Sequence, residues 1–208
     1  MGFTLVNELP TPAEILEQFP LADHLAALKK ERDEEIAKVI TGQSNKFLVI
    51  IGPCSADNED AVCDYANRLA KVQEATKDKL IVIPRVYTNK PRTTGEGYMG
   101  MLHQPDPEKK PDMLQGILAI RHMHMRVLRE TGMSTADEML YPDNLQYLSD
   151  IMSYIAVAPF RGKPVPPSGG KRLRRAGRYE EPHQRRHDCY VKLCCCCPAP
   201  PRLYLPWR

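Results

Sequence analysis

From Leu80 to Val86 the chain reads Leu-Ile-Val-Ile-Pro-Arg-Val, and from Phe47 to Ile51 it reads Phe-Leu-Val-Ile-Ile. Neither run alternates apolar with polar residues. A strand that is apolar at nearly every position has both faces covered, the condition of a strand in a parallel sheet flanked by helices. Asn58 to Lys77 joins the two runs and reads as a helix, with Ala61, Tyr65, Leu69 and Val72 on one side. Parallel strands need such a crossover. Asp112 to Glu130, closed by Gly132, reads as a further helix, Met133 to Leu140 as a third strand, and Asp143 to Ile155 as another helix. Ahead of the first strand, Thr11 to Gln18 has a helix start in Thr11, Pro12 and Glu14, and Leu21 to Ile40 reads as a longer helix. Strand and helix alternate, so the fold class is α/β.

Each strand runs out into polar chemistry. The first ends in Gly52-Pro53-Cys54-Ser55. The second carries Arg85, then Lys90 and Arg92 in a segment stiffened by Pro84 and Pro91. The third ends in Asp137-Glu138. Singly, each has an ordinary explanation: a small apolar cysteine, a solvated basic loop, a surface carboxylate. At the carboxyl ends of parallel strands they would converge on one cavity. A thiolate, a carboxylate and several cations are costly to gather unless a metal and an anionic ligand join them. The forks of Arg85 and Arg92 suit bidentate anion binding, and Lys90 supplies a point charge. The loop from Tyr87 to about Pro111 has the length of a functional segment.

Val49-Ile50-Ile51-Gly52-Pro53-Cys54-Ser55, Arg85-Val86-Tyr87, Lys90-Pro91-Arg92-Thr93-Thr94 and Glu138, in this order, resemble the type I 3-deoxy-D-arabino-heptulosonate 7-phosphate (DAHP) synthases over roughly residues 1 to 157. The resemblance implies a (β/α)8 barrel with an N-terminal extension. It implies a metal-dependent, aldol-type condensation of phosphoenolpyruvate with erythrose 4-phosphate, the first step of aromatic amino-acid biosynthesis by the shikimate pathway. It makes Cys54 a ligand of a divalent metal ion. It gives Arg85 and Lys90 to phosphoenolpyruvate with Glu138 nearby, Lys90 a catalytic part, and Lys90, Arg92 and Thr93 to erythrose 4-phosphate. The related synthase that takes arabinose 5-phosphate is an alternative; Lys-Pro-Arg-Thr-Thr and the long extension favour the erythrose enzyme. The parent is expected to be a homo-oligomer, with the extension before Phe47 available to a neighbouring subunit.

The resemblance stops near Ala158, and so does the composition. Residues 1–158 hold 17 Lys+Arg and 23 Asp+Glu, a net of −6, whereas residues 159–208 hold 12 and 3, a net of +9. Nine of the 19 prolines and five of the seven cysteines fall in those last residues. His183, His187 and Cys189, with Cys194 to Cys197, could form a soft-metal site, although four adjacent cysteines are not normal zinc spacing. Lys171 to Arg175 with Arg185-Arg186 could bind nucleic acid. A third reading is a shifted reading frame. With suitable codons, Pro159 to Pro167 moved by one base reads Arg-Ser-Val-Glu-Asn-Gln-Ser-His-Arg, and Ala176 to Asp188 reads Pro-Ala-Gly-Met-Lys-Asn-Pro-Thr-Ser-Gly-Asp-Met. Both resemble the family's own continuation, and Cys194 to Cys197 shift to Val-Val-Ala-Ala. We favour the third reading, which makes the tail's charge and cysteines by-products.

The expected layout is therefore a helical extension over 1–45, about three βα units of a barrel over 46–157, and an unstructured basic tail over 158–208. Three units and one metal ligand leave these 208 residues without activity of their own. No apolar run approaches the roughly 18 residues of a membrane span, and no signal peptide is visible, so the expected location is cytoplasmic. A competing reading is a non-catalytic dimerisation module whose basic tail binds nucleic acid, although a net charge of only +3 does not make the chain as a whole a nucleic-acid binder.

Overall fold

The computed structural model describes residues 9–89, 98, 100–139, 142–157 and 190–191. Two helices come first, α1 (Pro12–Gln18) and α2 (Asp23–Ile40). There follow β1 (Phe47–Ile51), α3 (Glu59–Thr76), β2 (Leu80–Pro84), α4 (Met113–Thr131), β3 (Thr135–Met139), a 3-10 turn (Pro142–Tyr147), β4 (Met152–Val157) and β5 (Tyr190–Val191). Helix α1 starts in the expected capping box: the Thr11 hydroxyl accepts from the Glu14 N–H, and the Glu14 carboxylate accepts from the Thr11 N–H at 2.7 Å. Asp112 caps α4, and Gly132 closes it in the left-handed region.

Strands β1 and β2 pair in parallel from Phe47 opposite Leu80 to Ile51 opposite Pro84, and β3 and β4 also pair in parallel. A bridge between Arg85 and Ala136, with the Val86 N–H donating to the Ala136 carbonyl at 2.8 Å, joins the pairs into one parallel progression in chain order. Alternate residues sort onto two faces. Leu48, Ile50, Ile81, Ile83, Ala136 and Tyr154 meet Ile36, Val39 and Ile40 of α2. Val49, Leu80 and Val82 meet Tyr65, Leu69 and Ala70 of α3, while Val86 and Ile155 join the cluster built on α4. Both faces of β2 are thus covered, as its unbroken apolar run requires, whereas β1 stays partly open, with Phe47 and Ile51 exposed at its two ends.

Two differences from the sequence reading have physical causes. The helix expected over Asp143–Ile155 is a 3-10 turn followed by β4. Leu148, Ile151, Met152 and Ile155 are all buried, as helical spacing predicts, but pairing with β3 decides the backbone. The buried face of α3 is Val62, Cys63, Ala66 and Leu69; Ala61 is exposed and Val72 is half exposed, because α3 packs against α4 as well as the sheet. The extension packs on its own chain: α2 covers a sheet face, and the Tyr147 hydroxyl donates to the Pro10 carbonyl at 2.8 Å. Within the tail, Tyr190–Val191 pair antiparallel with Val157–Ala156, since an open strand edge accepts any extended segment. Among the described residues no helix is long and apolar enough to cross a membrane.

The loop after β2 is not loose where it is described. Met101 and Leu102 are buried, and the Met101 N–H donates to the Thr88 carbonyl at 2.8 Å. Helix α4 passes so close that a Cβ on Gly116 would sit 1.8 Å from the Leu102 carbonyl oxygen. Only glycine fits there.

Candidate functional site

Strands β1, β2 and β3 are parallel, so their carboxyl ends open on one side of the sheet, and of the predicted residues Cys54, Arg85 and Glu138 stand there. The junction between β1 and β2 is tight. The Arg85 N–H donates to the Ile51 carbonyl at 2.9 Å, and a Cβ on Gly52 would lie 2.2 Å from the Arg85 carbonyl oxygen. The Arg85 side chain turns back over this junction. Its Nε donates to the Pro53 carbonyl at 3.1 Å and its Nη2 to the Gly52 carbonyl at 2.8 Å. Further along, the Ala56 N–H donates to the Tyr87 carbonyl at 2.8 Å. The Gly52–Ala56 segment that carries Cys54 is therefore strapped to the Arg85–Tyr87 segment that continues β2, on both sides of the cysteine.

These bonds orient the Arg85 guanidinium, whose carbon lies 4.8 Å above the Tyr87 ring centroid. Arg85 is half-buried, and two of its N–H groups go to the Gly52 and Pro53 carbonyls just past β1, an arrangement that presets the fork before any anion arrives. Glu138, also half-buried, follows Ala136 by two on β3 and so shares the strand face of Arg85, which follows Ile83 by two. Tyr87 lies within the electrostatic reach of both groups. Burial raises its hydroxyl pKa, Glu138 raises it further, and Arg85 opposes the shift.

Cys54 is exposed and outside any disulfide, whereas Cys63 is buried in α3. Burial pushes the Cys63 thiol up to about 11, with Arg126 opposing and Glu130, Glu59 and Asp60 reinforcing the shift. A pKa so far above neutrality leaves almost no thiolate. Peptide mapping after brief alkylation at neutral pH is expected to find Cys54 labelled and Cys63 unlabelled; equal labelling would show that the helix pair opens.

Among the described residues no three His, Cys, Asp or Glu side chains come together as metal donors. Cys54 by itself does not make a metal centre. Lys90, Arg92 and Thr93 lie outside the described residues, as do His183, His187 and Cys189 of the tail. What the sequence reading missed is a buried polar cluster behind Glu138, formed by Asp137, Thr88, His124 and Thr135. A signal was available: His124 and Arg121 interrupt the apolar stripe of α4, where an ordinary core helix would carry apolar side chains.

The model of the DAHP synthetase I family matches residues 23–163. The chain belongs to this family. A phospho-2-dehydro-3-deoxyheptonate aldolase of Haemophilus influenzae is 35% identical over 152 residues, covering 73% of this chain and 41% of that protein. The Phe-sensitive aldolase of Escherichia coli K12 is 34% identical over 152 residues, covering 73% and 43% respectively. The solved structure of the phospho-2-dehydro-3-deoxyheptonate aldolase from Francisella tularensis superimposes with a TM-score of 0.69 at 25% identity, over 76% of this chain and 46% of that one. The chain thus spans about two fifths of the length of these curated family members. The family match ends at residue 163, close to where the composition changes.

Proposed function

We propose that these residues form the first part of a DAHP synthase barrel and carry the phosphoenolpyruvate side of its site. The reaction is the condensation of phosphoenolpyruvate with erythrose 4-phosphate, with release of phosphate, at the entry to aromatic amino-acid synthesis. The observation that carries the reading is Arg85: a guanidinium preset by the Gly52 and Pro53 carbonyls, beside Glu138, in a chain of this family. Phosphoenolpyruvate offers a carboxylate and a phosphate, the two anions a fixed fork binds best. Lys90, Arg92 and Thr93 then serve the two substrates, and Lys90 takes the catalytic part that the family resemblance gives it. Cations at this point offset the repulsion between two phosphorylated molecules and hold them in reacting geometry.

The family's divalent metal ion would take Cys54 as one ligand, and the described residues do not supply the rest, so no step is assigned to it. The face of β1–β4 covered by α2 corresponds to a barrel interior, residues 1–45 to the extension, 46–157 to the partial barrel, and 158–208 to an out-of-frame tail. The 208 residues alone would not turn over substrate.

Two measurements test this. A coupled assay on the purified chain is expected to find no phosphoenolpyruvate-dependent phosphate release; turnover would refute the inactivity. A titration of the chain with phosphoenolpyruvate, followed by backbone amide resonances, is expected to shift the Arg85 and Glu138 signals. Arg85→Ala is expected to weaken that binding about tenfold to a hundredfold, the loss of a charge-assisted bond. Unchanged binding would remove Arg85 from the site.

A further inference from the structure

The buried cluster behind Glu138 has no part in the chemistry above. Asp137, His124 and Thr135 are fully buried and Thr88 is 1% exposed. The ladder between β2 and β3 ends where the Val86 N–H meets the Ala136 carbonyl. The Thr88 N–H, two residues on, meets a side chain instead: the Asp137 Oδ1 accepts it at 3.0 Å. The same oxygen accepts the Glu138 N–H at 2.6 Å. The other oxygen, Oδ2, accepts the Thr88 hydroxyl at 2.5 Å and faces the His124 Nε2 at 3.3 Å. The His124 Nδ1 lies 2.7 Å from the Thr135 hydroxyl. One proton arrangement satisfies every group: His124 donates from Nε2 to Asp137 and accepts at Nδ1 from Thr135. Beside this, the Asn89 amide donates to the Glu138 carbonyl at 3.2 Å.

We propose that Asp137 is a positioning residue that takes over from the backbone ladder where β2 and β3 diverge. Thr88 and Asn89 immediately precede Lys90, and Asp137 immediately precedes Glu138. Tying these neighbours together sets where the Lys90 segment begins relative to Glu138. His124 stands behind and holds the carboxylate in one orientation. Strand alternation supports the division of labour, because Glu138 shares the face of Arg85 while Asp137 turns to the opposite face, toward α4. A buried carboxylate needs its lone pairs met, and this one meets two backbone N–H groups, a hydroxyl and a ring nitrogen. Packing alone would be served by an apolar pair. The consequence for binding rests on the phosphoenolpyruvate reading; the tie itself does not.

Amide hydrogen exchange on the 208-residue chain tests the tie. In Asp137→Ala, the amides at positions 88 and 138 are expected to exchange at least about tenfold faster, while those of Leu48 to Ile50 and Ile81 to Ile83 keep their rates. Thr88→Val, which keeps volume and drops the hydroxyl, is expected to move the same two amides in the same direction, and Thr88→Ser to restore them. This pair decides the matter where Asp137→Ala does not fold. Phosphoenolpyruvate affinity on the same samples, measured well below the melting temperature of each, is expected to fall about tenfold in Thr88→Val and to recover in Thr88→Ser. Unchanged exchange at both positions overturns the proposal. Faster exchange with unchanged phosphoenolpyruvate affinity also overturns it, leaving a structural staple. If the parent chain takes no phosphoenolpyruvate, the substrate reading fails, and the exchange rates alone decide whether Asp137 holds the strand end.

Discussion

Arg121→Leu is expected to lower the stability of the chain by about 3–5 kcal/mol, the cost of removing one partner from a buried ionic arrangement. Arg121 is fully buried in the middle of α4, and every N–H of its fork is used. Nε and Nη2 donate to the Phe19 carbonyl at 3.0 and 2.6 Å. Nη1 donates to the Tyr147 carbonyl at 2.8 Å. Nη1 and Nη2 donate to the two oxygens of Asp150, both at 2.8 Å. One side chain therefore fastens the end of α1 to α4 and to the turn that leads into β4. Leucine fills part of the volume and leaves two carbonyls and a carboxylate without these donors. Asp150 is 26% exposed, so water recovers part of the loss and the lower end of the range is expected. The melting temperature followed by circular dichroism should fall by roughly 10 °C. Protease cleavage around Phe19 should accelerate more than cleavage in α3, because the extension loses its anchor before the sheet does. A variant that melts within a degree or two of the parent would mean that the extension is held by α1 packing rather than by this fork.

Gly52→Ala is expected to act on stability and on the site together. The added methyl would stand 2.2 Å from the Arg85 carbonyl oxygen and 2.9 Å from the Arg85 Cβ, both shorter than contacts that ordinary side chains make. Relief requires the β1 and β2 ends to separate, at a cost of about 1–3 kcal/mol for overpacking. Separation also pulls the Gly52 and Pro53 carbonyls away from the Arg85 fork. Phosphoenolpyruvate-induced shifts at Arg85 should then weaken by about tenfold even though no ligand-facing side chain has changed. Denaturant melts give the first effect and the titration gives the second. Normal binding in a destabilised variant would show that Arg85 finds its orientation without the Gly52 and Pro53 carbonyls.

The positions of β1, β2, α3 and α4 were legible because each is announced locally. A continuous apolar run needs cover on both faces, a capping residue needs a helix start, and Gly132 needs a left-handed turn. The stretch from Asp143 to Val157 shows where local reading stops. Leu145, Leu148, Ile151, Met152 and Ile155 recur at helical intervals and do join the core, yet the last of them sit on a strand. In β4, Tyr154 and Ile155 go to opposite faces of the sheet, one against α2 and the other against α4, which a helix at this place could not achieve.

The site divides in the same way. The order Gly-Pro-Cys-Ser, Arg-Val-Tyr, Lys-Pro-Arg-Thr-Thr and Glu at the ends of apolar runs was enough to point to the family, because a chemical motif is written in consecutive residues. The sequence alone therefore determined β1, β2 and β3, the starts of α1, α3 and α4, and the family. Only the tertiary structure decided that the Gly52 and Pro53 carbonyls preset Arg85, that Asp137 stands in for a backbone acceptor at Thr88, and that His124 backs it from another element. These contacts join residues 32, 49 and 13 positions apart, and long-range contacts exist only once the sheet has brought its strands into register.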